Sequence, residues 1–232
     1  MTARSAVSRA VDASLVELHR GIARYYTSKI SKYGATPLGV DWSCAPTQEL
    51  RFLQLLKFDD VPGAFSLNDL GCGYGALVAF LAKRYPRAAI DYLGIDLSQA
   101  MIRHAARLWR DKHNVHFVVG SRSPRFADYS VASGIFNVNP GFARNDWECL
   151  VASALTEMCR SSRRGFAANF LAQRGTASEP KALYRSSPAT WIHYCKEELG
   201  CDVELLDGYG LREFTILAMP RSHGNSTSLL YQ

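Results

Sequence analysis

The segment Leu67-Asn68-Asp69-Leu70-Gly71-Cys72-Gly73-Tyr74-Gly75 is where chemistry concentrates in this chain. Apolar residues lead into it and a helical pattern follows, so it marks a strand turning into a helix. Glycines at such a turn let the backbone approach a ligand closely and adopt torsions that other residues avoid. Gly71, Gly73 and Ala76 also satisfy the loose dinucleotide pattern G-x-G-x-x-G/A. Asp69 argues for a different ligand. A carboxylate two residues before the first glycine is poorly placed for a pyrophosphate and well placed for a cationic group. A second acid, Asp96, closes the run Leu93-Gly94-Ile95-Asp96 and is followed by Leu97. Its two oxygens can face two donors, as on a ribose, so it supports nucleoside binding without naming the nucleoside. Ser98, next in line, reads as a helix cap.

Such residues need a scaffold that brings several strand ends together. Short apolar runs at 66–70, 89–95, 115–119, 129–135 and 165–171 alternate with helical patterns at 76–85, 98–112 and 146–160. Asn145 and Glu148 suggest a capping box for the last of these helices. Ser187-Pro188 starts another helix that Gly200 stops, and runs at 202–206 and 212–219 flank Asp207-Gly208-Tyr209-Gly210-Leu211 as a hairpin. The rhythm predicts an α/β fold: a doubly wound, mostly parallel seven-stranded sheet with an antiparallel last strand, and ligands beyond the carboxyl ends of its strands. Before it, Val11, Leu15, Leu18, Ile22, Tyr25, Tyr26, Ile30 and Tyr33 mark an amphipathic helix ended by Gly34. A Pro- and Gly-containing loop over 35–46 follows, and Leu50, Leu53 and Leu56 restart a helix. The expected organisation is a helical extension over 1–60, a ligand-binding domain over 61–220 and a flexible tail over 221–232.

With its acid followed by G-x-G-x-G, the chain resembles the class I S-adenosylmethionine (SAM) dependent methyltransferases, which are Rossmann-like. The likeness spans residues 66–220 for the fold and is specific mainly over 67–96. It implies SAM as cofactor, with Asp69, Gly71, Cys72, Gly73 and Gly75 around the methionine part and Asp96 and Leu97 at the ribose. After the third strand many relatives have an acid on the adenine amino group, where this chain has Gly120-Ser121, and Ser121 takes that place as a neutral acceptor. By the same likeness Ser133 and Gly134 border the methionine part and Asn137 faces the transferable methyl. Asn139-Pro140-Gly141-Phe142 departs from the N-P-P-aromatic signature of nucleobase amino-methyltransferases, because glycine replaces the second proline and the motif lies beyond the strand end. It reads as an ordinary loop.

Tyr26 and His193 are the candidate bases should the acceptor carry a proton that must leave, and His193-Tyr194 precede the hairpin. The segment 15–42, with Tyr25-Tyr26 and Gly39-Val40-Asp41-Trp42, is expected to act as a lid. Tyr26, Phe136 and Asn137 would orient the reactants.

Bulk properties bound the partners. Of 232 residues, 47% are hydrophobic and 21% charged, which suits a sizeable core, and no run of about 18 apolar residues exists to span a membrane. Met1 to Leu15 is rich in Arg, Ser and Ala, but Asp12 and Glu17 interrupt it, so a cytoplasmic location is the expectation. Six scattered cysteines form no C-x-x-C pair, which predicts reduced thiols and no metal centre. The net charge of +6 is dispersed, so a small-molecule methyl acceptor is favoured over nucleic acid. The rival is an RNA, tRNA or protein methyltransferase, which would require Arg103, Arg107, Arg110, Arg122 and Arg125 to cluster beside the site. A SAM-binding protein without catalysis is the third alternative. Oligomeric state and the methylated atom type are not encoded in any motif.

Overall fold

The computed structural model describes residues 3–42, 44–58, 63–173 and 182–221, with side chains from Ser14 onward. Strands β1 (Ala64–Leu70), β2 (Ala89–Asp96), β3 (Val115–Val119), β4 (Ala127–Ala132), β5 (Ser162–Ala172), β7 (Cys201–Leu206) and β8 (Glu213–Pro220) form one sheet in the order β3-β2-β1-β4-β5-β8-β7. The first five are parallel, and β8 is antiparallel to both β5 and β7. This is the seven-stranded arrangement expected, with a two-residue β6 (Arg185–Ser186) added beside the end of β5. The tail expected beyond Arg221 lies outside the described residues.

Helices α1 (Ala3–Tyr33), α2 (Ala45–Leu55), α3 (Ala76–Arg84), α4 (Gln99–Leu108), α5 (Arg144–Arg160) and α6 (Pro188–His193) complete the layers. One sheet face packs Leu93, Ile95, Phe166 and Phe170 with residues of α5, α6 and α1. The other packs Phe65, Leu67, Tyr92 and Tyr129 with α2 and α3. Several boundaries differ from the sequence reading. Helix α2 begins at Ala45, because Pro46 occupies its first turn, where a missing N–H costs nothing. Strand β4 ends at Ala132 rather than continuing to Ile135, because Gly134 takes φ +71° and turns the chain. The capping box is not formed: the N-cap of α5 is Ala143, while Glu148 pairs with Arg144 at 2.9 Å. Helix α6 gives way at Tyr194 to a wider π-turn, Tyr194–Glu198.

No helix joins β3 to β4. Residues 120–126 instead cross the sheet as a strap. Arg125 holds it down, donating to Asn68 Oδ1 (3.1 Å), Asp91 Oδ2 (2.7 Å) and the Asp91 and Leu67 carbonyls (2.8 and 3.3 Å). A thin strap leaves apolar side chains of β2 and β3 uncovered on that face. Helix α1 covers them, with Leu15, Leu18 and Ile22 joining the cluster of Leu93, Ile95 and Val118. Among the described residues no helix is long and apolar enough to cross a membrane.

Candidate active site

At the carboxyl end of β1 the chain turns through Gly71 and Gly73, at φ +73° and +55°, a region that side chains rarely adopt. A Cβ at Gly71 would also stand 2.1 Å from Ile135, and one at Gly73 would stand 2.8 Å from Val40. The turn is tied to β2 by the Gly71 and Cys72 N–H groups, which donate to the Ile95 carbonyl at 2.7 and 3.1 Å.

Asp69 is buried beneath this turn and accepts a 2.6 Å hydrogen bond from the Tyr92 hydroxyl. Burial pushes its carboxyl up to about 7, against the Tyr92 bond and with help from the charge of Asp96. Asp96 ends β2, and its carboxylate accepts the Gly73 N–H at 2.9 Å and the Ser98 N–H at 2.8 Å. Burial raises it to about 6, with both backbone N–H groups opposing the shift. Each oxygen keeps acceptor capacity for a further donor. Ser98 caps α4 as expected, accepting from the Met101 N–H, and its hydroxyl is 2.8 Å from that of Thr27 on α1.

These groups line a cavity of about 500 Å³, within the range of small-molecule sites. Of the residues singled out in the sequence, Tyr26, Asp69, Gly71, Cys72, Gly73, Asp96, Leu97, Ser121, Ser133 and Gly134 line it. Gly75 does not: it sits at the N-cap of α3, beneath the Trp109 ring. Asn137 is buried behind Gly134, its side-chain oxygen and nitrogen both without a partner, and is not among the lining residues. Phe136 turns into the core, where its ring stacks on Phe170 at 5.1 Å. His193 lies exposed at the end of α6, away from the lining. Burial and the nearby Asp41 and Tyr25 raise the Tyr26 hydroxyl far above its usual range, with Asp96 adding to the shift. The Tyr26 hydroxyl therefore keeps its proton near neutrality. Asn139 closes an ordinary loop, accepting the Gly141 and Phe142 N–H groups at 3.1 and 2.8 Å.

Trp42, in the segment expected to act as a lid, also lines the cavity, and the structure adds the contacts that hold it there, which the sequence does not supply. Trp42 lies on Gly134, where a Cβ would stand 2.2 Å from its ring. Arg51 of α2 stacks over the Trp42 ring at 3.9 Å and forms a buried ion pair with Glu213 at the start of β8, its Nε 2.6 Å from Oε2. The helical period flagged α1 as amphipathic, but nothing in it told which strands the helix covers. Gly134→Ala should combine left-handed strain with a clash against Trp42, lowering stability by about 2 to 4 kcal/mol. Urea denaturation of the variant measures this, and an unchanged midpoint would mean Trp42 does not press on Gly134.

The five basic residues have different surroundings. Arg125 is consumed by the strap, Arg110 lies 3.6 Å from Asp111, Arg122 lines the cavity, and Arg103 and Arg107 stand exposed on α4.

Comparison with known proteins agrees with this architecture. Residues 68–165 match the profile of the family described as "Methyltransferase domain". A protein of Mycobacterium tuberculosis assigned as a methyltransferase is 43% identical over 159 residues, 68% of this chain and 95% of the relative. The chain belongs to the class I SAM-dependent methyltransferases. In fold it is similar to a SAM-dependent methyltransferase from Aquifex aeolicus (TM-score 0.56, 19% identity, 83% of this chain and 97% of that one). It is likewise similar to magnesium protoporphyrin IX methyltransferase from Synechocystis PCC 6803 with bound SAH (TM-score 0.56, 13% identity, 76% and 83%).

Proposed function

We propose that this enzyme transfers the methyl group of SAM to a small-molecule acceptor that enters beneath Trp42. The observation that carries the reading is the pair of carboxylates, Asp69 and Asp96, flanking a glycine turn in the wall of a cavity closed by α1 and Trp42. The residues present fit the cofactor. Gly71 and Gly73 leave room for close backbone approach, Asp96 has lone pairs left for two ribose hydroxyls, and Asp69 offers a buried anion to an ammonium group. Ser133 Oγ, a buried oxygen with no protein partner, borders the same wall. When bound, SAM supplies a methyl group already activated by a sulfonium.

What the protein adds is position and the exclusion of water. Tyr26 donates from the roof, and Trp42 presents an aromatic face held flat by Arg51. Asn137, one layer behind Gly134, holds the turn after β4: its N–H donates to the Gly134 carbonyl at 3.2 Å and its carbonyl accepts the Tyr184 N–H at 2.9 Å. A small acceptor is supported by the enclosure from α1 and Trp42 and by the internal use of Arg125.

Asp96→Ala removes a charged acceptor, a loss of about 1.5 to 3 kcal/mol, so SAM affinity should fall about 10- to 100-fold by calorimetry. In the unmodified protein, affinity should also decline as pH falls through about 6, where Asp96 takes up its proton and loses acceptor capacity. An unchanged dissociation constant in folded Asp96→Ala would place the ribose elsewhere. Methyl release assayed against a panel of acceptors tests the activity itself.

A further inference from the structure

Two of the free cysteines meet where the last turn of α5 touches the start of β7. The Cys159 and Cys201 sulfurs are 3.7 Å apart, across 42 residues of chain. The Leu199 carbonyl is in reach of both, 4.0 Å from the Cys159 sulfur and 3.8 Å from the Cys201 sulfur. A third thiol, Cys195 on the π-turn, is buried in the same apolar cluster as Cys201. None of the three lines the cavity.

A disulfide holds its sulfurs about 2.05 Å apart, so each sulfur of this pair would move by less than about 1 Å to form one. Access differs between the two. Cys159 is half-buried and open to a small oxidant, whereas Cys201 is buried. Reactivity follows the thiolate. The Cys201 thiol donates toward Cys159 and holds it below the ordinary thiol value, against burial and with help from Arg160. The same contact, together with burial, raises Cys201. The accessible sulfur is thus the nucleophile, and its neighbour keeps the proton.

We propose that Cys159 and Cys201 form a modification site at which hydrogen peroxide converts the two thiols to a disulfide, stapling the end of α5 to β7. The Cys159 thiolate attacks one peroxide oxygen and the O–O bond breaks, giving a sulfenic acid and a hydroxide that takes up the proton released by Cys159. The Cys201 sulfur then attacks the Cys159 sulfur, and its proton leaves with the displaced hydroxide as water. The two sulfurs give up two electrons, and peroxide is reduced to two waters. The bond ties the helix that carries Leu150, Ser153 and Ala154 on the cavity wall to the edge strand of the sheet. Closing a loop of this length restricts the unfolded chain more than the folded one, so the oxidised protein gains stability.

The test treats the full chain with a slight molar excess of hydrogen peroxide, blocks the remaining thiols under denaturing conditions and maps the cysteines by mass spectrometry without reduction. Wild type should yield a peptide pair joined through Cys159 and Cys201 and released by a reductant. Its melting temperature should rise by about 4 to 10 °C on oxidation and return on reduction. Cys201→Ser removes the second sulfur, so Cys159 should stop at the sulfenic acid and be trapped by dimedone. Cys159→Ser should slow the oxidation of Cys201 by at least about tenfold. Melts of the reduced variants confirm that each folds. If peroxide leaves both wild-type thiols free, carries Cys159 to a sulfinic acid, or couples it to Cys195 or to another chain, the pair is not the site. If Cys201 oxidises at the wild-type rate in Cys159→Ser, the attacking sulfur is wrongly assigned. A cross-linked protein that melts no higher than the reduced one would overturn the staple.

Discussion

Asp69→Asn should raise the melting temperature of the ligand-free protein at pH 8 while weakening SAM binding by about 10- to 100-fold. The carboxyl of Asp69 titrates near 7 in the folded chain, against an ordinary 3.8, because burial disfavours its charge. The folded state thus holds a proton between pH 4 and 7 that the unfolded state has released. Stability associated with this group is present at low pH and is lost as pH rises through about 7, a span worth on the order of 4 kcal/mol. Asparagine never ionises and still accepts from the Tyr92 hydroxyl, although its amide N–H group then needs a buried partner at a cost of about 1 to 3 kcal/mol. The net gain at pH 8 is about 1 to 3 kcal/mol, several degrees for a chain of this size, and it should vanish or reverse at about pH 4, where Asp69 is protonated in the folded state and largely so in the unfolded one. Melts at the two pH values, paired with SAM titration, check both halves. A variant that melts lower than wild type at pH 8 would show that the buried charge is compensated.

Arg51→Met should be the most destabilising of the single substitutions considered, by about 3 to 5 kcal/mol, because it leaves the Glu213 carboxylate buried without its cation. The loss extends to the cavity. Arg51 also donates to the Thr47 carbonyl at 2.9 Å and supports the ring of Trp42, so α2 and the roof loosen together. Replacing both partners, Arg51→Met with Glu213→Leu, should recover most of the stability, since two apolar side chains need no solvation. The roof would still lack the cation under Trp42. Urea midpoints of the two single variants and the double variant give the coupling energy. Simple additivity of the single effects would mean that the two groups do not act as a pair.

The readable parts of the site were those set by local geometry. Asp69, Gly71, Gly73 and Asp96 sit where strands run into helices, so their spacing alone brings them together, and the Ser98 cap is likewise a local hydrogen bond. One torsion, not legible in the sequence, sets where Asn137 and Phe136 lie. Because Gly134 turns the chain at positive φ, β4 ends three residues early and the side chains that follow point into the core. His193 required knowing which face α6 buries, and its amphipathic pattern is too short to say. Arg51 with Glu213 and Cys159 with Cys201 are pairings across 162 and 42 residues, for which periodicity carries no information. The helical period of α1 was plain, yet its seat depends on the absence of a helix between β3 and β4, a feature visible in the sequence only as a short interval.

That seat gives the chain an awkward order of assembly. During synthesis α1 emerges before its seat exists: the apolar strip formed by Leu93, Ile95, Val118 and Leu150, on which Leu15, Leu18 and Ile22 rest, is completed some 130 residues later. At translation rates of about 5–20 residues per second the nascent helix spends many seconds with its greasy side bare. Shortening the chain from its beginning would then do more than remove a covering for the ligand: it would leave a strip of the sheet wet, a template for clumping rather than a tidy smaller domain.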